Sequence, residues 1–172
     1  MAGRVHASPH CDCRPPSAPI NLIVIHGISL PPGEFGSEAI IQFFCGKLDT
    51  ASHPAFADIA QLRVSAHLLI RRTGEVIQFV PFDTRAWHAG VSSFQGQSGC
   101  NDFSIGIELE GTDERAYEDQ QYQQLREVID LLRQAYPAIT PERIVGHVDI
   151  APGRKTDPGP AFNWAYLRGM LA

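Results

Sequence analysis

The sequence has no apolar run near the roughly 20 residues that a membrane-spanning helix requires. Its opening stretch, MAGRVHASPHCDCRPPSAP, lacks the apolar core of roughly 7–15 residues found in a secretory signal. A cytoplasmic location away from the membrane is the expectation. Positive charge is also in short supply. The 14 Lys and Arg face 19 Asp and Glu, for a net charge of −5. That argues against a broad footprint for nucleic acid or an anionic membrane, but leaves room for a local basic pocket. Cysteine is limited to Cys11, Cys13, Cys45 and Cys100, with irregular spacing. Free thiols are expected, because a chain of this size in a reducing compartment needs no staples. Disorder is excluded by a content of 44% hydrophobic and 19% charged residues.

The 172 residues suit one domain spanning 1–172. Residues 1–19 read as an extended N-terminal arm rich in proline. INLIVIH, residues 20–26, is a continuous β-branched run and reads as a buried strand. Pro31-Pro32-Gly33 then forces a loop. Residues 37–48 read as a short helix and ASHPAFADIAQ as a loop. VSAHLLIRRTGEVIQFVPF gives two strands around a turn at residues 72–75. In FSIGIELEG, residues 103–111, Phe103, Ile105, Ile107 and Leu109 alternate with Ser104, Gly106, Glu108 and Glu110. Tyr122, Leu125, Val128, Ile129, Leu132 and Tyr136 share one helical face, predicting a helix over residues 118–136. A short helix near residues 162–171 closes the chain. The expected class is α/β of the α+β type: a single domain with a mixed β-sheet flanked by helices.

Histidine is the informative residue type, with seven copies. His6 and His10 lie in the arm, His53 in a loop, His67 in a strand and His88 in AWHAG. His26 ends a strand, and His147 opens GHVDIAPGRKTDPGP. Strand ends that run into loops often carry chemistry, although a single histidine there can equally be a satisfied polar residue at the edge of the core. A catalytic zinc commonly has three protein ligands and one open position. His26, His147 and Asp157 could supply two nitrogens and one oxygen. Glu108 admits two readings. With Glu110 it could line a solvated face, or it could carry protons for a hydrolytic water. Lys155 and Arg154 are solvated cations or, for Lys155, a partner for a developing oxyanion. His10-Cys11-Asp12-Cys13 is a rival metal site that lacks the spacing of a structural zinc motif. A nucleophilic Cys45 or Cys100 has no local signature in its favour.

The stretches HGISLPPGEFG, LRVSAHLLIRRTGEVIQFVPFDTRAWHAGVSS, CNDFSIGIELEGTD and GHVDIAPGRKTDPGP resemble the zinc N-acetylmuramoyl-L-alanine amidases, a family that includes peptidoglycan-recognition domains. The resemblance runs from about Ser8 to near the end of the chain. It is nearest to the cytosolic members that cleave 1,6-anhydro-muropeptides in cell-wall recycling. It implies a mixed sheet flanked by helices with the zinc site at one edge. It also implies one zinc per chain on His26, His147 and Asp157, with Glu108 and Lys155 as the catalytic pair. The implied partner is a small muropeptide, bound by a monomer, with no nucleic acid and no membrane. Arg63, Arg154 and Arg71 are candidates for the peptide carboxylates, because the guanidinium fork suits them. Trp87 is a candidate for packing on sugar or peptide. The alternatives are a broader amidase acting on intact peptidoglycan and a non-catalytic muropeptide-binding module. Two positions depart from the family pattern: Gly27 stands in place of asparagine, and Cys11 in place of an aromatic.

Overall fold

The computed structural model describes residues 3–171. Its strands are β1 (Arg4–Val5), β2 (Cys11–Cys13), β3 (Leu22–Ile28), β4 (Leu68–Ile70), β5 (Val76–Gln78), β6 (Thr84–Ala86), β7 (Ser93–Phe94), β8 (Gln97–Ser98), β9 (Ser104–Glu110) and β10 (Ile144–Gly146). Its α-helices are α1 (Ala39–Phe44), α2 (Asp119–Ala135), α3 (His147–Ile150) and α4 (Trp164–Met170). The main sheet has the order β1-β5-β4-β9-β3-β10. It is mixed. β3 runs parallel to both β9 and β10, and β4 runs parallel to β9 but antiparallel to β5. β3 and β9 are central and covered on both faces, as parallel strands in such sheets must be. Their register runs without a slip from Leu22 opposite Ser104 to Ile28 opposite Glu110.

Strand alternation sends the two sides of this pair to different layers. Ile23, Ile25, Ile105, Ile107 and Leu109 pack with Leu125, Val128, Ile129 and Leu132 of α2. On the opposite side, Leu69 and Ile77 pack against Ile40, Ile41 and Phe44 of α1, while Leu22 and Val24 meet Phe103 and Ile150. His26 and Glu108 fall on this second side. α2 starts at a reciprocal capping box between Glu118 and Gln121. The buried Gln121 amide also donates to the carbonyls of Ile70 and Glu110, tying the helix to β4 and β9.

The structure departs from the sequence expectation in two places. The predicted helix over 37–48 is only Ala39–Phe44, with Ser37 accepting from the Ala39 amide just before it. The expected loop at 51–61 contains a 3-10 helix, Pro54–Ile59, started by His53, whose Nδ1 accepts from the Ala55 amide. The extended N-terminal arm is paired into two sheets. β1 pairs with β5, and β2 pairs with β6. Arg14 explains why the arm stays down. Its guanidinium donates to the carbonyls of Phe82, Asn101, Asp102 and Ser104 at 2.8–3.1 Å. The four cysteines are free thiols.

Arg14→Ala leaves those carbonyls without their charged donor. It should lower unfolding stability by about 2–3 kcal/mol, measured by urea denaturation, since a hydrogen bond to a charged group contributes about 1.5–3 kcal/mol. A variant with the wild-type urea midpoint would show that the arm is held elsewhere.

Candidate metal centre

The β3–β9 register places His26 directly opposite Glu108. β10 sets Gly146 beside Ile25, so His147, the next residue, emerges level with His26. The chain turns at that point into the single helical turn of α3, where the Gly146 amide donates to Asp149 Oδ2 at 2.7 Å. The Pro/Gly-rich segment after α3 then folds back. The Val148 amide donates to the Asp157 carbonyl at 3.0 Å, which brings Asp157 beside His147. Tyr117 holds the next residue by donating to the Pro158 carbonyl at 2.9 Å. Gly27 makes room for that tyrosine, because a Cβ at this position would lie 2.4 Å from its hydroxyl. The departure at position 27 therefore has a steric consequence. A side chain there would displace Tyr117.

His26 Nδ1 lies 3.0 Å from His147 Nδ1 and 3.1 Å from Asp157 Oδ2, and His147 Nδ1 lies 3.1 Å from the same oxygen. His26 and His147 are 2% and 3% exposed. The outward nitrogens are both engaged. His147 Nε2 is 3.1 Å from the Ala89 carbonyl, which can only accept, so the tautomer that fits a neutral ring has its proton on Nε2 and its lone pair on Nδ1. His26 Nε2 meets His88 Nδ1 at 2.9 Å. Burial pushes the His26 imidazole down to about 4, so it is neutral at physiological pH.

This donor set fits zinc. Two imidazole nitrogens and a carboxylate oxygen form a triangle with edges of 3.0–3.1 Å. Ligands about 2.0 Å from a tetrahedral zinc stand about 3.3 Å apart, a few tenths of an ångström wider. Three ligands leave the fourth position open, as in a catalytic site. Each histidine also has the outward hydrogen-bond partner that zinc-binding histidines characteristically carry.

Glu108 faces the same space. It is 8% exposed, and its Oε2 is buried with no hydrogen-bond partner. Burial, and then the charge of Asp157, push its carboxyl well above the ordinary glutamate range, while Lys155 opposes them. The solvated-face reading of Glu108 and Glu110 is overturned. Glu110 is 2% exposed and accepts from the Gly36 and Arg72 amides. A cavity of about 220 Å³ joins His26, Glu108, His147, Lys155 and Asp157 to an apolar wall that includes Leu30, Phe43, Ile59, Leu62 and Val64.

The remaining candidates lie outside that lining. Arg63 is exposed, between Leu62 and Val64. Trp87 is half-buried and stacks on His10. Arg154 Nη2 donates to the Ala89 and Val91 carbonyls at 2.7 Å. Arg71 is buried and paired with Glu38 and Glu75. The rival His10–Cys13 stretch brings no metal-binding group together among the described residues, where the one such cluster is His26, His147 and Asp157. Sequence reasoning gave His88 no role, although it is buried and touches His26. The available signal was the polar side of β9, Ser104-Gly106-Glu108, inside a strand too apolar to face water.

Among the described residues, no helix is long and apolar enough to cross a membrane. The family model for N-acetylmuramoyl-L-alanine amidase matches residues 16–160. The chain is 61% identical over 165 residues to the 1,6-anhydro-N-acetylmuramyl-L-alanine amidase AmpD of Escherichia coli (strain K12), covering 96% of this chain and 90% of that protein. A crystal structure of a selenomethionine derivative of AmpD superposes with a TM-score of 0.96 at 60% identity, covering 99% of this chain and 94% of the other. A more distant structure is the E. coli amidase AmiD in complex with the substrate anhydro-N-acetylmuramic acid-L-Ala-D-gamma-Glu-L-Lys. It matches with a TM-score of 0.66 at 31% identity, over 91% of this chain and 60% of that one. With this fold, this cluster and these relatives, the chain belongs to the N-acetylmuramoyl-L-alanine amidase family.

Proposed function

We propose that the chain is a zinc-dependent amidase of peptidoglycan recycling. Its substrate is a 1,6-anhydro-N-acetylmuramoyl peptide, and the bond cleaved is the amide between the lactyl group and L-alanine. The observation that carries this reading is the meeting of His26, His147 and Asp157 with an unpartnered Glu108 carboxylate in one cavity. The choice of sugar is supported by the names of the relatives at about 60% identity. We place the enzyme in the cytoplasm as a monomer with one zinc per chain.

His26 Nδ1, His147 Nδ1 and Asp157 Oδ2 would hold a zinc ion, which would supply Lewis acidity and lower the pKa of a hydrolytic water. Glu108 takes the proton of that water as it attacks the carbonyl, and then hands a proton to the amine of L-alanine as the C–N bond breaks. Burial raises its carboxyl, which suits it to holding the proton between the two steps. Lys155 sets its ammonium beside the oxygen that gains negative charge. The apolar wall keeps bulk water from the reacting centre. Arg63, flanked by two residues of that wall, is the rim cation for the peptide carboxylates. Arg154 has Nη1 left for a second carboxylate contact, and Trp87 is the rim aromatic.

Three variants separate these roles. Lys155→Ala should keep one zinc per chain and lose roughly 10²–10³-fold in kcat, the cost of one oxyanion donor. Full turnover with metal bound would remove Lys155 from the mechanism. His147→Ala should fail to hold zinc, and an unchanged zinc-to-protein ratio by atomic spectroscopy would sink its ligand role. Glu108→Gln should still bind anhydro-muropeptide yet cleave it roughly 10²–10⁴-fold more slowly, the usual contribution of general acid–base catalysis. Mass spectrometry of released peptide reads this directly, and normal release would show that another group moves the proton.

A further inference from the structure

We propose that His88 is a positioning residue that keeps the proton off the ligand nitrogen of His26, through a hydrogen-bond chain ending on the Cys100 carbonyl. This rests on the zinc site proposed above.

The polarity of the chain follows from its far end. The Cys100 carbonyl can only accept, and Ser104 Oγ lies 2.5 Å from it, so the hydroxyl donates there. With its hydrogen committed, Ser104 Oγ must accept from His88 Nε2, 3.1 Å away. In a buried His88 ring that carries a single proton, placing it on Nε2 leaves a lone pair on Nδ1. That lone pair is 2.9 Å from His26 Nε2, which must then carry its proton. His26 Nδ1 is left bare and faces His147 and Asp157.

The chain has something to overcome. Asp157 Oδ2 stands 3.1 Å from His26 Nδ1 and attracts a proton to that nitrogen. A neutral imidazole protonated on Nδ1 cannot ligate through it. The two ligand histidines differ in this respect. The partner of His147 is a carbonyl, which cannot reverse. The partner of His26 is an imidazole, which can, and reversal is blocked only by the bond from Ser104 to Cys100.

The seat of His88 is closely built. Gly106 lies under the ring, where a Cβ would stand 2.4 Å from His88 Cγ. The Gly106 amide donates to His67 Nδ1 at 3.0 Å, and the His67 amide donates back to the Gly106 carbonyl at 3.0 Å. Asn101 Oδ1 accepts from the backbone amides of both His88 and Ala89. One two-residue segment thus sets both tautomers: the His88 side chain for His26, and the Ala89 carbonyl for His147.

The test uses full-length protein, with zinc affinity from chelator competition and His26 protonation from imidazole ¹H–¹⁵N spectra of the metal-free form. His88→Leu removes the acceptor and should weaken zinc binding by roughly 10–100-fold, the usual effect of losing such a partner. His88→Asn, which offers an amide oxygen near the place of Nδ1, should stay close to wild type. Ser104→Ala leaves the core contacts of His88 in place but unlocks the chain. It should show His26 protonated on Nδ1 in the metal-free spectra, together with weaker zinc binding. It also keeps the test open if His88→Leu fails to fold. Wild-type zinc affinity in His88→Leu, equal loss in His88→Asn, or His26 still protonated on Nε2 in both Ser104→Ala and His88→Leu would each overturn the proposal. A wild-type protein that takes up no zinc overturns the metal site instead, while the metal-free spectra still judge His88.

Discussion

Two imidazole nitrogens and a carboxylate oxygen meet within 3.0–3.1 Å on one side of the sheet, and much of the surrounding structure serves to bring them there. Such a triangle of electron-pair donors is repulsive without a cation at its centre. It persists only if each member is held from behind. His147 is held by the Ala89 carbonyl, His26 by His88, and Asp157 by the fold-back of its own loop and the grip of Tyr117 on Pro158. The central strands, the one-turn helix α3 and the Pro/Gly-rich segment are different means to one convergence.

The polar side of β9 ties the chemistry to the scaffold. Ser104 orients His88, Gly106 gives its ring a seat, and Glu108 faces the cavity, at successive positions on one face of one strand. The other face, Ile105, Ile107 and Leu109, packs under α2. A single seven-residue strand therefore joins core packing to proton transfer. Any shift of its register would move Glu108 away from its place opposite His26. Gly27 and Tyr117 show the same economy at the end of β3, where a missing side chain admits the tyrosine that steadies the residue after Asp157.

Local pattern carried much of this into view. The apolar run at residues 20–26, the helical face from Tyr122 to Tyr136 and the turn between the two middle strands depend on neighbours in sequence, and so are legible there. Glu108 stood out for the same reason, as a carboxylate in a strand with few polar neighbours. How the arm is held was not legible, because its anchors are distant. Arg14 finds its carbonyls 68–90 residues away. His88 carried no legible role because its two partners, His26 and Ser104, are 62 and 16 residues distant.

By itself, the sequence determined the element types, the strand alternation and the kinds of donor available: imidazoles, a carboxylate in an apolar strand and a lysine in a stiff loop. These are properties of residue chemistry and short-range periodicity. Only the tertiary structure decided which donors meet. The parallel pairing of β3 with β9 and β10 carries His26 to residues 82 and 121 positions further along the chain. It also decided which nitrogen of each imidazole faces inward, since that depends on an acceptor contributed by another part of the fold. The same glutamate could have faced water. Its burial, and the raised carboxyl that follows from it, exist because α1, the His88 loop and the Pro/Gly-rich segment close over that side of the sheet.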